Sequence, residues 1–443
     1  MALAACAILT LSPAVQAVPS FARQTGLSCE ACHTEFPVLT DFGRSFKLNG
    51  YTMSTGQTEL PPLAVMLQPS FTQTNQAQVG GAAPHFGPNS NVAVTQASFF
   101  YSGRLFGPYT NLLTEGPVQN FLNKFGTFTQ VTFDGIGRRW HWDNMEIRYA
   151  DSGTLLGKSI TYGIFANNNP GMEDPWNSTP VWGFPFSGSG LGPTPGTSTL
   201  AEGGLSQQVV GLGAYAMINN SVYLDFAGYH TLDARTQESL GIDPDGENEV
   251  TGIAPYWRAA YTKAAGNHSF EVGLFGLEAD TYPGRVNTSG HDHFLDWGLD
   301  SEYQTSFGKN SVTGLFSVIR EWDRWDASQP LGNSTNKSDN LWSTKLTIDY
   351  LYNLTYGADI SYFLVNGRRD ALLYANGANG SPASDGLILQ LNYMPFNLSG
   401  GPSFWPKSNV KFSIQYVIYD RFNGTHGHAS DNNTLYLETW IAF

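Results

Sequence analysis

The sequence has 443 residues, with 23 Lys and Arg against 37 Asp and Glu, and a formal net charge of −14. Charged residues make up only 14% of the chain, aromatic residues also reach 14%, and glycine occurs 48 times. This composition excludes a disordered acidic chain, and the scarcity of cations argues against nucleic-acid binding. After the first residues no apolar run reaches the roughly 18 residues of a membrane-spanning helix. The composition instead favours a large β protein whose strands have one apolar and one polar face.

Residues 1–17 form a short apolar stretch ending in Val15-Gln16-Ala17, which is typical of the cleavage site of an exported protein. The basic residues that usually precede such a stretch are missing, which would be explained by a truncated sequence or a misassigned start codon. A short buried core helix is the alternative interpretation. Cleavage after Ala17 would remove Cys6 and leave an exported chain with two cysteines.

Those two cysteines, Cys29 and Cys32, form the motif C-E-A-C-H with His33, the attachment pattern of a c-type haem. Two thiols can add to the two vinyl groups of one porphyrin, and the adjacent histidine can bind the iron. The alternatives are a redox dithiol, which would not require His33, and a zinc site, which would need further Cys or His ligands. The sequence predicts one haem c, held by two thioethers, with His33 as its proximal axial ligand.

Residues 18–60 are predicted to form a small α-helical monohaem cytochrome c module. Residues 37–48 can form a helix in which Leu39, Phe42 and Phe46 share one face, and this face could cover the porphyrin. The three cations of the module are candidate partners of the haem propionates or simply solvated side chains: Arg23, Arg44 and Lys47.

The second axial ligand of the iron is predicted to be Met53, and a methionine there would raise the redox potential relative to a second histidine. Met66 and His85 lie further along the chain as alternatives. Met53 could instead pack against the ring and leave the iron five-coordinate.

Residues 63–443 alternate in polarity over stretches of about ten residues, which is the period of a two-faced strand. In residues 339–350, four apolar positions oppose four polar ones, namely Trp342, Leu346, Ile348 and Tyr350 against Ser343, Lys345, Thr347 and Asp349. Strands are predicted to begin near residues 63, 92, 125, 141, 158, 207, 220, 252, 267, 293, 310, 339, 354, 385, 409 and 433. Pro69 interrupts the first of these stretches, which makes it the least regular.

About sixteen strands, long connectors alternating with short ones, and the terminal W-I-A-F are typical of bacterial outer-membrane barrels. We therefore predict an all-β fold, a transmembrane antiparallel β-barrel with the small helical module at its N-terminus. A soluble β-sandwich or propeller is the alternative, although no fixed repeat is visible. An even strand count places both barrel ends on the periplasmic side, so the module is expected there or inside the lumen as a plug.

The segment PSFARQTGLSCEACHTEFPVLTDFGRSFKLNGYT, followed by a barrel, resembles the fused outer-membrane monohaem cytochrome–porins, a family that includes iron(II) oxidases of iron-oxidising bacteria. The likeness is close over residues 19–52 and architectural beyond them. It implies that Cys29 and Cys32 are the thioether positions and that His33 is the proximal ligand. It also implies that the haem lies at or within the barrel, accepts electrons from iron outside the cell and passes them to periplasmic carriers.

The predicted function is therefore electron transfer in the outer membrane of a Gram-negative bacterium. The donor would be Fe(II) or another extracellular reductant, and the acceptor a periplasmic cytochrome or copper protein. Such a protein is a one-electron oxidase or carrier and needs no acid–base residues. The alternative is a passive porin whose haem is structural or sensory. A haem peroxidase is disfavoured because no distal His-Arg pair lies beside the motif.

Two further features of the predicted outer loops are ambiguous. An acidic stretch could draw cations toward the barrel mouth or could simply be solvated, and it contains Asp243, Asp245, Glu247 and Glu249. The histidine pairs of residues 291–293 and 426–428 could bind a transition metal weakly or could be incidental.

Overall fold

The computed structural model describes residues 18–55, 62–110, 112–113, 115–183, 185–245, 247–398, 400–405 and 407–443. The predicted signal peptide, with Cys6, lies outside the described residues, as do residues 56–61. No helix of the described segments is long and apolar enough to cross a bilayer.

One antiparallel sheet forms a closed barrel, because the first strand pairs with both the second and the last. The strand segments are β1 (Leu63–Thr74), β2 (Asn91–Arg104), β3 (Phe125–Asp134), β4 (Arg139–Leu155), β5 (Lys158–Asn167), β6 (Val209–Ile218), β7 (Val222–Thr231), β8 (Glu249–Val250), β9 (Ala254–Ala265), β10 (His268–Tyr282), β11 (Asp292–Phe307), β12 (Asn310–Arg324), β13 (Ser338–Tyr352), β14 (Tyr356–Gly367), β15 (Ser384–Tyr393), β16 (Asn409–Arg421) and β17 (Thr434–Ala442). The short β8 and β9 both pair with β10 and share one position. The barrel therefore has sixteen positions, as the alternation predicted.

The strand starts agree with the sequence-based positions to within two residues. β1 is continuous across Pro69, because its register with β2 shifts between Gln68 and Pro69 in the manner of a β-bulge. Turns of two or three residues join β4–β5, β6–β7, β9–β10, β11–β12 and β13–β14 at one edge, while most connections at the other edge are long. Three connections break this alternation: β3–β4 is short, and β2–β3 and β15–β16, which lie at the short-turn edge, are long.

The described residues contain five α-helices outside the sheet: α1 (Pro19–Thr25), α2 (Asp41–Leu48), α3 (Gly107–Thr110), α4 (Pro117–Leu122) and α5 (Ala234–Ser239). The helix predicted over residues 37–48 begins later than expected. Thr40 caps it by accepting a hydrogen bond from the Gly43 amide (3.2 Å). The residues before the cap form a turn, which the isolated β-bridge between His33 and Leu39 closes.

The outer surface of the barrel carries apolar side chains between two rings of exposed aromatic residues. The ring near the long connections includes Trp297, Trp322 and Trp342, and the ring at the short turns includes Phe307, Tyr352, Tyr356, Tyr393 and Phe412. Ten residues separate Trp342 from Tyr352 on β13. At about 3.3 Å per residue and a tilt of about 40°, they span about 25 Å, the height of the apolar band of an outer-membrane barrel.

Residues 18–55, here called the N-terminal segment, lie inside the barrel. Their contacts with the inner wall are Ser20 Oγ to the Ser102 carbonyl (2.6 Å), Tyr51 Oη to Glu146 (3.0 Å), Arg44 to Ser269 (2.7 Å) and Glu302, and the Phe36 carbonyl to Lys411 Nζ (3.2 Å). These wall residues belong to β2, β4, β10, β11 and β16, so strands surround the segment. Ser102, Glu302 and Lys411 lie toward the short-turn ends of their strands, which places the segment in that half of the lumen.

The outward faces of the strands generate a prediction about stability in lipid. Leu346 is exposed on β13, about 15 Å above the short-turn edge, so Leu346→Arg should destabilise the barrel by about 2–4 kcal/mol. Tyr352→Arg, at the edge of the same strand, should cost about 0–1 kcal/mol. Reversible unfolding in phospholipid vesicles measures both, and equal costs would contradict a membrane-embedded outer surface.

Candidate functional site

The C-E-A-C-H motif folds as a single tight turn. A 3-10 helix spans Cys29–Ala31, and the amides of Cys32 and His33 both donate to the Cys29 carbonyl, at 3.1 and 3.0 Å. Neither Cys29 nor Cys32 is in a disulfide. The turn brings both thiols and the imidazole to the lining of the same cavity.

Helix α2 holds this turn in place. Thr40 Oγ1 donates to the Ala31 carbonyl (2.6 Å), and the Thr40 amide donates to the Cys32 carbonyl (2.9 Å). The helix approaches so closely that a Cβ atom at Gly43 would lie 2.2 Å from the Cys32 carbonyl oxygen. The orientation of the motif therefore depends on a glycine at position 43.

His33 is buried, with 8% of its surface exposed, and its ring packs edge-on against Phe36 with the centroids 5.5 Å apart. Burial lowers the pKa of His33 to about 4, although the backbone groups of Pro37 and Val38 oppose this shift by favouring the charged ring. The imidazole is therefore neutral at pH 7, the form that binds a metal ion. Its Nδ1 has no hydrogen-bond partner within the described part of the chain.

The two thiols are also shielded from water. Burial raises the pKa of Cys29 to about 11 and the pKa of Cys32 to about 12. Reactive thiols of C-x-x-C redox proteins have lowered pKa values instead. The surroundings of this pair therefore do not favour the alternative of a redox dithiol.

An apolar cavity with about 670 Å³ of space between protein atoms, part of it open to solvent, adjoins the motif. Its aromatic lining comes from three parts of the chain and consists of Phe21, Phe46, Tyr51, Phe128 and Trp182. Phe21 stacks on Tyr51 with ring centroids 5.4 Å apart and meets Phe46 edge-on at 4.9 Å. Two free thiols, a neutral buried imidazole and a largely apolar wall together fit a c-type haem.

Of the predicted propionate partners, Lys47 lies in the lining of the cavity. Its ammonium donates to the Met172 carbonyl (2.8 Å) and to Asn177 Oδ1 (2.9 Å), and it lies 4.0 Å from the Trp182 ring centroid. Burial lowers the pKa of Lys47 to about 7, although the nearby carboxylates, first among them Glu146, favour its charged form.

The other two propionate candidates and the predicted second axial ligand lie away from the lining. Arg44 pairs with Asp41 (2.9 Å) and with Glu302 of the wall, and Arg23 donates to the Leu63 carbonyl. Met53 and Cys29 pack against the same buried apolar cluster. Propionate contacts for the two arginines and iron ligation by Met53 remain predictions.

The sequence did not indicate that the long connection of residues 168–208 turns into the lumen. Trp182 and Asn177 from this connection line the cavity. Its Asp174 accepts from the amides of Ser178 (2.8 Å) and Thr179 (2.9 Å) and lies 3.6 Å from Arg258 of the wall. Its length and its Trp residues were the available signals, but neither shows which way a loop folds.

Comparisons with protein families and with curated proteins give no match. Among solved structures, the outer membrane channel DcaP of Acinetobacter baumannii has a TM-score of 0.46 at 9% identity, covering 86% of this chain and 96% of that one. An anion-selective porin from Comamonas acidovorans has a TM-score of 0.44 at 11% identity, with 86% and 98% covered. OmpF of Salmonella typhi, in complex with daunomycin, has a TM-score of 0.42 at 12% identity, with 86% and 97% covered. Because these identities and TM-scores are low, the assignment of the site rests on this chain's own residues.

The contact between α2 and the motif can be tested with a single methyl group. Gly43→Ala forces the helix or the Cys32 carbonyl to move, and such overpacking costs about 1–3 kcal/mol. We expect several-fold less covalent haem per folded barrel, measured by absorbance of the alkaline pyridine complex. Gly314→Ala on β12 is the matched control, since its added Cβ meets nothing within 4 Å. Full haem content in the Gly43 variant would contradict this account of the site.

Proposed function

We propose that this protein is an outer-membrane electron carrier that takes electrons from extracellular Fe(II) and delivers them to a periplasmic cytochrome or copper protein. The observation that carries the proposal is that Cys29, Cys32 and His33 line one apolar cavity inside a barrel. A haem c in that cavity would supply a one-electron redox centre. Outer-sphere transfer needs only proximity and a matched potential, so no acid–base residue is required.

The position of the cavity supports delivery to the periplasm. A barrel wall is apolar over about 25 Å, so donor and acceptor cannot meet across it directly. Short turns of bacterial barrels face the periplasm, and the N-terminal segment lies in the short-turn half of this barrel. The motif is thereby near the periplasmic mouth, where a soluble acceptor can approach.

The residues around the cavity have separate tasks in this proposal. The two thiols would hold the porphyrin by thioethers, and the His33 imidazole would bind the iron. Phe21, Tyr51 and the other aromatic side chains exclude water, which keeps the redox centre in a low dielectric. The Lys47 ammonium supplies positive charge at the cavity wall, where an anionic propionate would be stabilised.

The net charge of the chain supports a cationic donor, although the carboxylates in the outer half of the lumen are buried. Residues 168–208 reach the wall there, where the Ala201 amide donates to Asp296 (2.6 Å) and the Leu200 amide donates to Glu321 (2.6 Å). Asp323 lies on the same inner surface and is buried. Asp296 and Glu321 are buried under this connection, so support for a small cation such as Fe(II) over an anionic donor comes from the net charge of −14.

A passive porin is the second candidate function, and the polar inner face of the barrel favours it. However, the N-terminal segment and residues 168–208 both occupy the lumen. A channel would need an open path past them, whereas electron transfer requires no open pore. Planar-bilayer recordings of the full-length protein separate the two functions. A steady porin-like conductance that is unchanged on haem reduction would favour the channel.

The proposal predicts that Fe(II) reduces the purified protein. Anaerobic mixing of oxidised protein with Fe(II) in a stopped-flow instrument should produce the sharp α-band of a reduced c-type haem. His293→Ala, at the start of β11, should react at the wild-type rate, because His293 pairs with Asp280 of β10 (2.8 Å), outside the lumen site. A haem that dithionite reduces but Fe(II) does not would contradict iron oxidation.

A further inference from the structure

Three carboxylates meet where the N-terminal segment touches the barrel wall. Glu35 belongs to the segment, Asp349 to β13 and Asp359 to β14, and one oxygen from each lies within 4.8 Å of the other two. All three side chains are at most 9% exposed. Neither the haem motif nor the proposed function uses them.

Amide groups of the neighbouring strand hold two of these carboxylates in fixed positions. Asn392 Nδ2 donates to Glu35 Oε1 (2.6 Å) and to Asp359 Oδ2 (2.8 Å), and Gln390 Nε2 donates to Asp359 Oδ2 (2.9 Å). Hydrogen bonds of this kind orient metal ligands in proteins. Gly357 leaves the space that Glu35 needs, since a Cβ atom there would lie 2.7 Å from Glu35 Oε2.

Three of the remaining oxygens of the group have no such partner. Asp349 is only 5% exposed, and its Oδ1 has no hydrogen-bond partner in the part of the chain that the structure describes. The same holds for Glu35 Oε2 and Asp359 Oδ1. Buried carboxylate oxygens without a partner are costly, so this arrangement points to a ligand that supplies positive charge.

The charge of the group identifies the class of ligand. Lys411 Nζ lies 3.5 Å from Glu35 Oε1 and is also engaged by the Phe36 carbonyl (3.2 Å). Three ionised carboxylates and one ammonium give −3 + 1 = −2, which a single divalent cation would neutralise. Ligand sets made of carboxylate oxygen suit hard cations such as Ca²⁺, Mg²⁺, Mn²⁺ and Fe²⁺.

We propose that Glu35, Asp349 and Asp359 bind one hard divalent cation, which joins the N-terminal segment to the barrel wall. Glu35 follows His33 by two residues, so their Cα atoms are at most about 7 Å apart. The cation would therefore hold the haem motif against β13 and β14. This proposal stands whether or not Fe(II) is the electron donor.

Binding of Mn²⁺ tests the proposal. Full-length protein in detergent is treated with EDTA and titrated with Mn²⁺, and the free ion is measured by electron paramagnetic resonance. We expect one tight site in the wild type. Even the loss of a residue that hydrogen-bonds to a metal ligand lowers metal affinity about 10–100-fold. Asp349→Asn and Asp359→Asn change the ligands themselves, so each should weaken this site at least tenfold. Asp143→Asn, which removes a buried carboxylate of β4 outside the group, should bind as the wild type does.

Competition by Ca²⁺, Mg²⁺ and anaerobic Fe²⁺ then ranks the ions. Heat-modifiable migration in gels checks that each variant is a folded barrel. Glu35→Gln, which leaves the wall unchanged, replaces any wall variant that fails to fold. Two results would overturn the proposal: equal Mn²⁺ binding by the wild type and Glu35→Gln, or a wild type without a tight site. The carboxylates would then be held together by protons that they share.

Discussion

One buried guanidinium connects the three parts of this protein. Arg148, on β4, has none of its surface exposed. It donates to Glu146 of the wall (2.8 Å), to the Lys47 carbonyl of the N-terminal segment (3.0 Å) and to the Glu173 carbonyl of the loop formed by residues 168–208 (3.0 Å). A buried arginine is costly unless its charge is paired and hydrogen-bonded, and here the bonds of the two Nη atoms reach all three parts. Wall, segment and loop therefore depend on one another at this residue.

The same dependence applies to the inner surface as a whole. Every second side chain of a barrel strand points inward, and a lumen of sixteen strands is too wide for wall side chains to fill. Here the polar inner face is covered by the N-terminal segment and by residues 168–208. The apolar cavity beside Cys29 and Cys32 lies between these parts, which explains how a water-poor pocket forms inside a polar lumen.

Much of this architecture could be predicted from the sequence, because the relevant signals are local. The alternation of Leu346 and Ile348 with Lys345 and Thr347 is set by the pleat of a single strand, and the C-E-A-C-H motif is contiguous. The barrel closure and the strand positions were correct for the same reason.

Long-range contacts could not be predicted in this way. The start of α2 depends on the Thr40 cap and on the β-bridge of His33 with Leu39, which shorten the expected helix. Arg44 pairs with Glu302, a residue 258 positions away, and this pairing holds the guanidinium away from the cavity. Nothing in the sequence indicated it. The carboxylate group of Glu35, Asp349 and Asp359 also arises only when the segment is inside the barrel.

The central claim is that the turn containing Cys29 and Cys32 carries one haem. Mass spectrometry of the peptide spanning both cysteines, prepared from the mature protein in outer membranes, tests it most directly. The account predicts a mass increase of one haem and no reaction of this peptide with thiol reagents. Free thiols or a disulfide between Cys29 and Cys32 would contradict it.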